Sequence, residues 1–561
     1  MLFHSSSPIC ERMGARPHAV DQDRTAVRGP RREWLWAVGW SLIALLGANL
    51  PYLVGTAIST PESRFGGLYF IVEDGNSYLA KMRHAALDGW RTYLPYSHES
   101  ASQQGGALLL YLLYTLLGKG VRLVTGGAPV PALLMAYHAA RVFGGLALCL
   151  MVYRFIAHWV EGTMRRLAFA LALFALGWGW LLALLGRFGN GDVPLEFWAP
   201  DAFPLAILSG PPHIILAVPM LLGAVLATMR TWRTAQWKSA LGAAILCLAL
   251  ALTRPEYVLV FEAVAGTAWC IEAWRQPRGA GQRLVRLLPA AILPVPILLY
   301  LLLALYRDPV LSQWTSQNPF VSPSPWHYLA GYGLLLLPAL WGLRQRAWWR
   351  TEDRWILLLW IALAPLLAYA PFQAQRRLIG GVQVPLAMAA ARGLWQEGRR
   401  RNWQAWAWFV LAAPGSLFFA LGGTAMVIGR PDTLFHSADE QAALAWLATH
   451  CSPDDLALTA MESGNLIPVY ADCRVLLGHP IETIQFAAKE ADVASFYDAR
   501  TPSSTRWEIL RRYGITLVYQ SPWDRTLGEF DPSQMPGLRP LYTAGHYRVF
   551  QVEDRPDFVE E

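Results

Sequence analysis

The sequence predicts a mainly α-helical, polytopic membrane protein with about eleven spans and a small soluble α/β domain at its C-terminal end. Of its 561 residues, 54% are hydrophobic and only 16% are charged, whereas a soluble protein carries about 25% charged residues. Apolar runs long enough to cross about 30 Å of hydrocarbon recur through the first three quarters of the chain. The net charge of +7 comes mainly from arginine clusters between these runs, which indicates membrane topology rather than nucleic-acid binding.

The basic clusters also orient the spans. Residues 1–33 are polar and rich in arginine and precede a full-length apolar segment, which is typical of a cytoplasmic tail and a retained first helix. Placing the later basic loops on the same side predicts a multi-pass protein of the inner (plasma) membrane, with a transmembrane domain at 34–429 and its C-terminal end outside. The predicted spans are about 34–55, 132–157, 166–186, 205–229, 238–253, 256–274, 285–305, 327–343, 355–371, 377–396 and 404–428.

The first outer loop, 56–131, contains one apolar segment that we do not predict to cross the membrane. Counting 106–124 as a span would place the basic cluster at 154–166 outside, so we expect a juxtamembrane helix along the outer interface. A second helix is predicted at 77–90, with Lys81 on a polar face exposed at the membrane surface.

The composition becomes more polar from about residue 430, which predicts an extracytoplasmic α/β domain over 430–561. SADEQAALAWLATH (437–450) predicts an amphipathic helix with a Ser or Asp cap, and TRWEILRRYG predicts a further helix. The runs DLALTA, CRVLL, GITLVYQ and HYRVFQV predict strands. A disulfide between Cys451 and Cys473 is compatible with an outer location but does not follow from the sequence alone.

Two adjacent acids, Glu73 and Asp74, follow the first span by a short interval. A carboxylate held near the lipid boundary can accept a proton from a hydroxyl group or bind a divalent ion. Gly75 would allow the backbone to turn sharply before the following helix. The other interpretation is that both acids cap that helix, which would begin near Asn76.

Two adjacent arginines depart from the positive-inside trend. Arg376 and Arg377, in FQAQRRLIGG, lie at the outer end of a predicted span. Guanidinium groups at this position can bind a phosphate, or they can reach the outer headgroups as ordinary snorkelling side chains. Arg141, near the outer end of its span, is a further phosphate candidate.

Other charged groups are predicted on the same side. His213, in SGPPH, falls just inside the membrane as a functional or a structural histidine. Arg254, in TRPEYV, either takes part in a site or pairs with Glu256. Three acids of one outer loop either bind a metal or are simply solvated: Asp192, Glu196 and Asp201.

This arrangement resembles the GT-C superfamily of polytopic glycosyltransferases, which use polyprenyl-phosphate-linked sugars. The acidic motif would be VEDGNSYLAKMRHAALDGW, followed by the interfacial GALLLYLLYTLLG and a span containing Arg141. FQAQRRLIGGVQVPLAMAAARGL is similar to segments of bacterial members. Here the acids are followed by Gly-Asn-Ser-Tyr rather than the Arg-Tyr of the aminoarabinose and mannosyl transferase branches, and the Lys-Pro-Pro element of those branches is missing.

The resemblance implies an inverting direct displacement that moves a hexose or pentose to a glycan, lipid or protein acceptor of the envelope. An acceptor hydroxyl would attack the anomeric carbon, with Asp74 as general base and Glu73 as the alternative. The charge of the departing polyprenyl phosphate would be stabilised by basic side chains named above: Arg376, Arg377, His213, Arg254 and Arg141. Some members need a divalent metal, Mg²⁺ or Mn²⁺, and others do not, and the residues leave both open.

Two other functions compete with the enzyme. A transporter or lipid flippase without chemistry would depend on polar groups near the middle of the membrane and often shows internal repeats, which the sequence lacks. A non-catalytic scaffold for envelope assembly would work through its outer domain and would tolerate neutralisation of Asp74.

Overall fold

The protein, described here from a computed structural model, is mainly helical. The structure describes residues 31–87, 89–92, 94–101, 107–186, 194–350, 353–395 and 402–553. The predicted cytoplasmic tail, 1–33, therefore lies outside the described residues except for its last three. The same holds for Asp192, one of the acids considered for a metal site.

The first half of the chain forms long helices joined by short ones. They are α1 (Arg31–Ala57), α2 (Val72–Leu87), α3 (Leu112–Thr125), α4 (Val130–Trp159), α5 (Gly162–Phe174), α6 (Gly179–Leu184), α7 (Leu195–Trp198), α8 (Pro204–Ser209), α9 (Pro212–Thr234) and α10 (Trp237–Thr253). A short strand, β1 (Ser63–Phe65), lies between α1 and α2.

The bundle continues to residue 428. Its helices are α11 (Glu256–Arg275), α12 (Ala280–Ile292), α13 (Val295–Arg307), α14 (Pro309–Gln317), α15 (Pro325–Leu343), α16 (Arg346–Arg350), α17 (Trp355–Ala368), α18 (Gln383–Leu394), α19 (Trp403–Ala412) and α20 (Pro414–Ile428). A 3₁₀ helix at Gln375–Ile379 precedes α18.

Six helical segments of the described chain are long and apolar enough to cross a membrane: Arg31–Ala57, Val130–Trp159, Pro212–Thr234, Glu256–Arg275, Ala280–Arg307 and Trp403–Ile428. Two shorter apolar helices, α10 and α17, add to them. A multi-pass membrane protein follows from these segments. The count of eleven spans and their orientation stay predictions.

Several predicted spans are broken or short because helices approach one another closely. The run predicted at 166–186 breaks between α5 and α6, where Gly177 lies against the backbone of α15: a Cβ there would lie 2.4 Å from the Ala330 carbonyl oxygen. The run predicted at 377–396 contains only the 12 residues of α18, which is buried along most of its length. Hydropathy alone does not separate a buried helix of this kind from one that crosses the membrane.

Helix α2 is not the surface helix that the sequence predicts. It packs against α3 and α4 on one side and against the C-terminal part of the chain on another, and Lys81 is only 3% exposed. The backbones of α2 and α3 touch, since a Cβ on Gly118 would meet the Met82 carbonyl oxygen at 2.1 Å. With 14 residues, α3 is about 21 Å long, too short to span the hydrocarbon. Its interfacial position stays a prediction.

The C-terminal part contains a five-stranded mixed sheet in the order β4-β3-β5-β7-β6. Its strands are β3 (Leu456–Leu458), β4 (Arg474–Val475), β5 (Leu517–Gln520), β6 (Leu538–Ala544) and β7 (Tyr547–Val552), of which only β6 was not predicted. Its helices are α21 (Ala438–His450), α22 (Met461–Tyr470), α23 (Phe486–Tyr497), α24 (Ser503–Tyr513) and α25 (Pro522–Leu527). A Ser437 cap opens α21 as predicted, and Cys451 and Cys473 form a disulfide.

A second, two-stranded sheet joins the first loop to the C-terminal part of the chain. Strand β1 of the first loop pairs antiparallel with β2 (Phe435–Ser437), so that Phe65 lies opposite Phe435. This pairing holds the C-terminal part against the first loop, at the end of the bundle where α2 lies. We call that end the Asp74 end and the opposite one the Arg154 end. His213 and Arg230, near the two ends of α9, are about 26 Å apart along the helix axis.

Candidate active site

The two acids lie in the first turn of α2. The chain turns at Ile71, whose φ is 50°, and the helix begins at Val72 rather than near Asn76. Gly75 therefore lies inside the helix, and the prediction that it provides the turn is wrong. Gly75 lets α2 pack closely against Leu68, because a Cβ at this position would lie 2.6 Å from a methyl group of Leu68. Negative charge in this turn is favoured by the helix dipole, so a capping contribution of both acids is retained.

Asp74 is accompanied by a histidine that sequence reasoning did not find. The Nε2 of His479 lies 3.3 Å from Oδ1 of Asp74. The other ring nitrogen, Nδ1, accepts hydrogen bonds from the backbone N–H groups of Ile481 (3.0 Å) and Glu482 (3.2 Å). The hydrogen-bond pattern thus assigns the proton of the neutral ring to Nε2, facing the carboxylate.

The electrostatic surroundings keep Asp74 ionised. Burial acts to raise the pKa of the Asp74 carboxyl, but the nearby His479 ring, with the charges of Lys81 and Arg377, holds that pKa below its ordinary value. About a third of the side chain stays exposed. Asp74 is therefore a carboxylate at neutral pH that a ligand can reach, as a proton acceptor must be.

Glu73 differs from its neighbour. Glu73 is exposed, and no described side chain forms a hydrogen bond or ion pair with its carboxylate. Only its backbone oxygen is held, at 3.4 Å from Nδ2 of Asn465. The structure therefore orients Asp74 and leaves Glu73 free to move.

A buried ion pair fixes α2 to the C-terminal part of the chain. Nζ of Lys81 lies 2.7 Å from Oε1 of Glu482, which also accepts a 2.7 Å hydrogen bond from Ser77. Both charged side chains are almost fully buried, at 1% and 4% exposure. Nζ of Lys81 also lies 4.6 Å from the centre of the Tyr111 ring. Glu482 is three residues beyond His479, so one loop supplies both contacts to α2.

Next to these groups lies a set of paired arginines. Arg377 binds Glu256 at 2.5 Å, and Arg254 binds Asp201 and lies 3.2 Å from Nε2 of His213. Arg254 and Glu256, whose mutual pairing was one of the two alternatives for Arg254, instead form ion pairs with Asp201 and Arg377. The ring of Tyr78, on α2 with Asp74, lies 5.3 Å from the ring of His213, which contacts Arg254, so this set is adjacent to α2.

Aromatic rings connect Asp74 with His213. Tyr78, one turn after Asp74 in α2, stacks on Tyr114 with ring centres 4.3 Å apart. The Tyr114 hydroxyl forms a 2.8 Å hydrogen bond with Nδ1 of His213. A continuous wall therefore runs from Asp74 to the pair of Arg254 and Asp201.

Among the described residues, no acidic side chain forms an ion pair with Arg376. Its guanidinium lies 4.5 Å from the Trp198 ring centre and 5.5 Å from that of Phe320, and Phe320 also carries Arg377 at 3.7 Å. Burial lowers the pKa of Arg376, and its buried Nε has no hydrogen-bond acceptor among the described residues. These contacts differ from those of a snorkelling side chain, and they leave a donor for an anion.

The last phosphate candidate, Arg141, is held apart from this set. It donates to the Leu208 carbonyl oxygen (3.0 Å), Oδ1 of Asn49 (2.6 Å) and Nδ1 of His138 (3.3 Å). Its guanidinium also lies 3.9 Å from the Tyr52 ring centre. Its contacts are those of a side chain that holds α4 to α1 and α8.

The described residues do not fit a divalent metal. Oε1 of Glu196 accepts the Gly179 N–H at 2.6 Å, and its Oε2 is buried without a hydrogen-bond partner among the described residues. Asp201 is paired with Arg254. No group of three His, Cys, Asp or Glu side chains with metal-binding geometry occurs among the described residues. At Asp74 the neighbours are one histidine and the cations Lys81 and Arg377, which disfavour a second positive charge.

Comparisons with known proteins give a similarity of fold. No family model matches the chain, and no curated protein matches its sequence. An oligosaccharyltransferase from Archaeoglobus fulgidus, AglB, solved with an inhibitory peptide and a dolichol-phosphate, aligns over 94% of this chain and 75% of its own at 13% identity and a TM-score of 0.47. The same archaeal enzyme tethered to an acceptor peptide containing the NVT sequon aligns over 92% and 75%, at 13% identity and a TM-score of 0.46.

A third structure of that enzyme, a complex with Zn and sulfate, aligns over 92% of this chain and 74% of its own, at 14% identity and a TM-score of 0.43. The structural similarity to the archaeal oligosaccharyltransferase therefore extends over most of the chain and concerns the fold alone. Any activity has to follow from the site itself.

Proposed function

We propose that the protein is a GT-C-type glycosyltransferase that moves a hexosyl or pentosyl group from a polyprenyl phosphate to an envelope acceptor. The Asp74 end, where the site lies, would be the outer face of the inner membrane. The acceptor would be a glycan, a lipid or a protein. The disulfide between Cys451 and Cys473 supports this orientation, because disulfides persist in oxidising compartments.

One observation carries the proposal: an ionised, reachable carboxylate shares a site with arginines suited to a lipid-linked phosphate. Asp74 is partly exposed and oriented by His479. Arg377 acts on that carboxyl, and Arg376 beside it keeps a buried donor that no described residue satisfies. A proton acceptor and a binding site for a leaving phosphate are the two parts that sugar transfer from such a donor requires.

The reaction proposed is a single displacement. The acceptor oxygen forms a bond to the anomeric carbon while the bond from that carbon to the phosphate oxygen breaks. Asp74 takes the acceptor hydroxyl proton, and the bonding electrons leave with the polyprenyl phosphate. The configuration at the anomeric carbon inverts.

The arginines would act on the leaving group. Arg376 and Arg377 would bind the phosphate, and Arg254 with His213 would contribute positive charge and a hydrogen bond as the phosphate gains charge. Because these groups are already held by aromatic rings and acids, little reorganisation would be needed during the reaction. No step requires a metal, in keeping with the side chains around Asp74.

His479 would serve as a positioning residue. Its Nε2 proton faces the Asp74 carboxylate, and its Nδ1 is fixed by two backbone donors. The C-terminal part would thus orient the base as well as cover the site. Glu73 stays as the alternative base because it is exposed and adjacent.

The proposal is tested by native mass spectrometry of the detergent-purified protein beside the Arg376→Ala/Arg377→Ala variant. We expect polyprenyl phosphate, bare or glycosylated, to co-purify with the wild type and to be lost from the variant. The mass of the glycosylated form would identify the sugar.

A matched control removes two exposed arginines from the first loop, Arg64→Ala/Arg91→Ala, and should retain the lipid. Only bulk phospholipid in all samples, or equal loss in the control, would contradict a donor site at Arg376 and Arg377. That outcome would favour the transporter or scaffold instead.

A further inference from the structure

A cavity lies at the Arg154 end, between α1, α4, α9 and α10. Its volume is about 470 Å³. Its wall includes the apolar side chains of Trp34, Met151 and Leu226, and its rim includes three cations: Arg154, Arg230 and Lys238. No acidic side chain of the described chain lines it.

We propose that this cavity binds one anionic phospholipid of the leaflet at the Arg154 end. The proposal does not depend on the glycosyltransferase activity, since the cavity's lining residues on α9, from Gly223 to Arg230, lie about 15 to 26 Å from His213 along the helix axis. The basic rim and the apolar wall of the cavity together fit a molecule that is anionic at one end and apolar at the other. Neither a free phosphate nor a neutral lipid has both properties.

The charge distribution supports an anionic headgroup. Arg154 and Lys238 are exposed, and among the described residues neither has a hydrogen-bond or ion-pair partner. Helix α10 begins at Trp237 without a side-chain cap, so its N-terminal end adds partial positive charge next to Lys238. Basic pockets between membrane helices on this kind of surface attract anionic headgroups, by about 1 kcal/mol for each cation.

The cavity wall supports an acyl chain. Gly242 lies on it, and a Cβ built there would meet nothing within 4 Å. By contrast, a Cβ at Gly223, on the facing helix, would lie 3.1 Å from Leu246. The space above Gly242 is therefore open between apolar helices, where lipid rather than water is the natural occupant.

Two variants separate the two parts of the site. Arg154→Gln/Lys238→Gln removes the unpaired charges, and Gly242→Leu fills the open space while replacing glycine by a better helix former. Arg278→Gln/Arg350→Gln removes two exposed arginines at the same end, outside the cavity, and serves as the matched control.

The experiment incubates the delipidated full chain with equal amounts of dioleoyl phosphatidylglycerol and dioleoyl phosphatidylcholine and counts bound lipids by native mass spectrometry. We expect the wild type and the control to retain one phosphatidylglycerol with a preference of at least about tenfold. The charge variant should lose the preference, and Gly242→Leu should lose retention. Binding of polyprenyl phosphate at the other end should stay unchanged in all four proteins.

Three results would overturn the proposal. The first is undiminished phosphatidylglycerol retention in both cavity variants. The second is equal loss in the control, which would indicate attraction by surface charge in general. The third is full displacement of the lipid by soluble glycerol 3-phosphate, which would indicate a phosphate site without an acyl-chain part.

Discussion

The two ends of the helical bundle bury their cations to different depths. The Arg154 end also has ion pairs, Arg166 with Glu33 and Arg233 with Asp353, but the side chains of these two arginines are 36% and 37% exposed. At the Asp74 end, Lys81, Arg254 and Arg377 each bind a carboxylate from a distant part of the chain. At the Arg154 end, Arg154 and Lys238 are exposed and have no acidic partner among the described residues. Burying a charge costs several kcal/mol unless it is paired. The ion pairs at the Asp74 end must therefore compensate a large desolvation penalty. The membrane topology predicted from the sequence is enough to explain the exposed cations, whereas the buried ones need a function or a structural role.

The largest expected effect concerns the proton acceptor. Asp74→Asn should slow sugar transfer by about 10²- to 10⁴-fold, the usual contribution of a general base. Donor binding should persist, because the arginines are unchanged. Native mass spectrometry of protein incubated with an envelope extract would then show glycosylated polyprenyl phosphate retained in the variant and consumed in the wild type. Equal consumption in both proteins would exclude Asp74 as the base and support the scaffold.

The second prediction tests the pairing at the Asp74 end directly. Arg254→Ala leaves Asp201 buried without its charge partner and should destabilise the fold by about 3–5 kcal/mol. Thermal unfolding in detergent would show the loss, and Asp201→Asn/Arg254→Gln should recover most of it. Arg154→Ala at the other end should stay within about 0.5 kcal/mol. Equal losses of stability in Arg254→Ala and Arg154→Ala would show that the cations at the two ends do not differ in their contribution to the fold.

A somewhat smaller loss is expected for Lys81→Met. Glu482 would lose its cation but keep the hydrogen bond from Ser77. The free energy of unfolding should therefore fall by about 3 kcal/mol. The effect should be local, since the pair joins α2 to the loop that carries His479. Hydrogen exchange should increase in that loop and in α2, and Lys81→Met/Glu482→Gln should restore protection. Unchanged exchange in the single variant would show that the pair does not fix the loop.

His479→Gln should change the pH dependence more than the maximal rate. The pKa of Asp74 is lowered in the folded protein by His479, so the base stays ionised as the pH falls. Without the histidine this pKa rises, and the acidic limb of the transfer rate should move to higher pH. A limb that stays in place, or moves to lower pH, would show that His479 does not act on Asp74.

The smallest effect is expected for Glu73→Gln. Its carboxylate is exposed and has no partner among the described residues, so transfer should change by less than about threefold. A loss as large as that of Asp74→Asn would assign the role of base to Glu73.

The apolar runs and the local signals were predictable from the sequence. Helices such as α1 and α4 follow from long apolar runs, and α21 follows from its Ser437 cap and its pattern. Asp74 could be selected because an acid close to a span is unusual. The breaks at Gly177 and before α18 could not be predicted, because they depend on which backbones approach each other in the folded bundle.

The partners within the candidate site were not predictable for a related reason. Lys81 and Glu482 are 401 positions apart in the chain, and the pattern of 77–90 gives Lys81 the appearance of a surface residue. His479 stands between Gly478 and Pro480 in the run LLGHPIE, and these neighbours in sequence give it no distinguishing feature. A fold that brings α2 and the 479–482 loop together is required before either contact is visible.

The most direct test of the account is a structure of the full chain with added decaprenyl phosphate, determined by electron cryomicroscopy. We predict that the phosphate lies within hydrogen-bonding distance of Arg376 and Arg377. One of its three terminal oxygens should face Asp74. A phosphate bound instead at the Arg154 end, or headgroups alone around Arg376, would contradict a donor site beside Asp74.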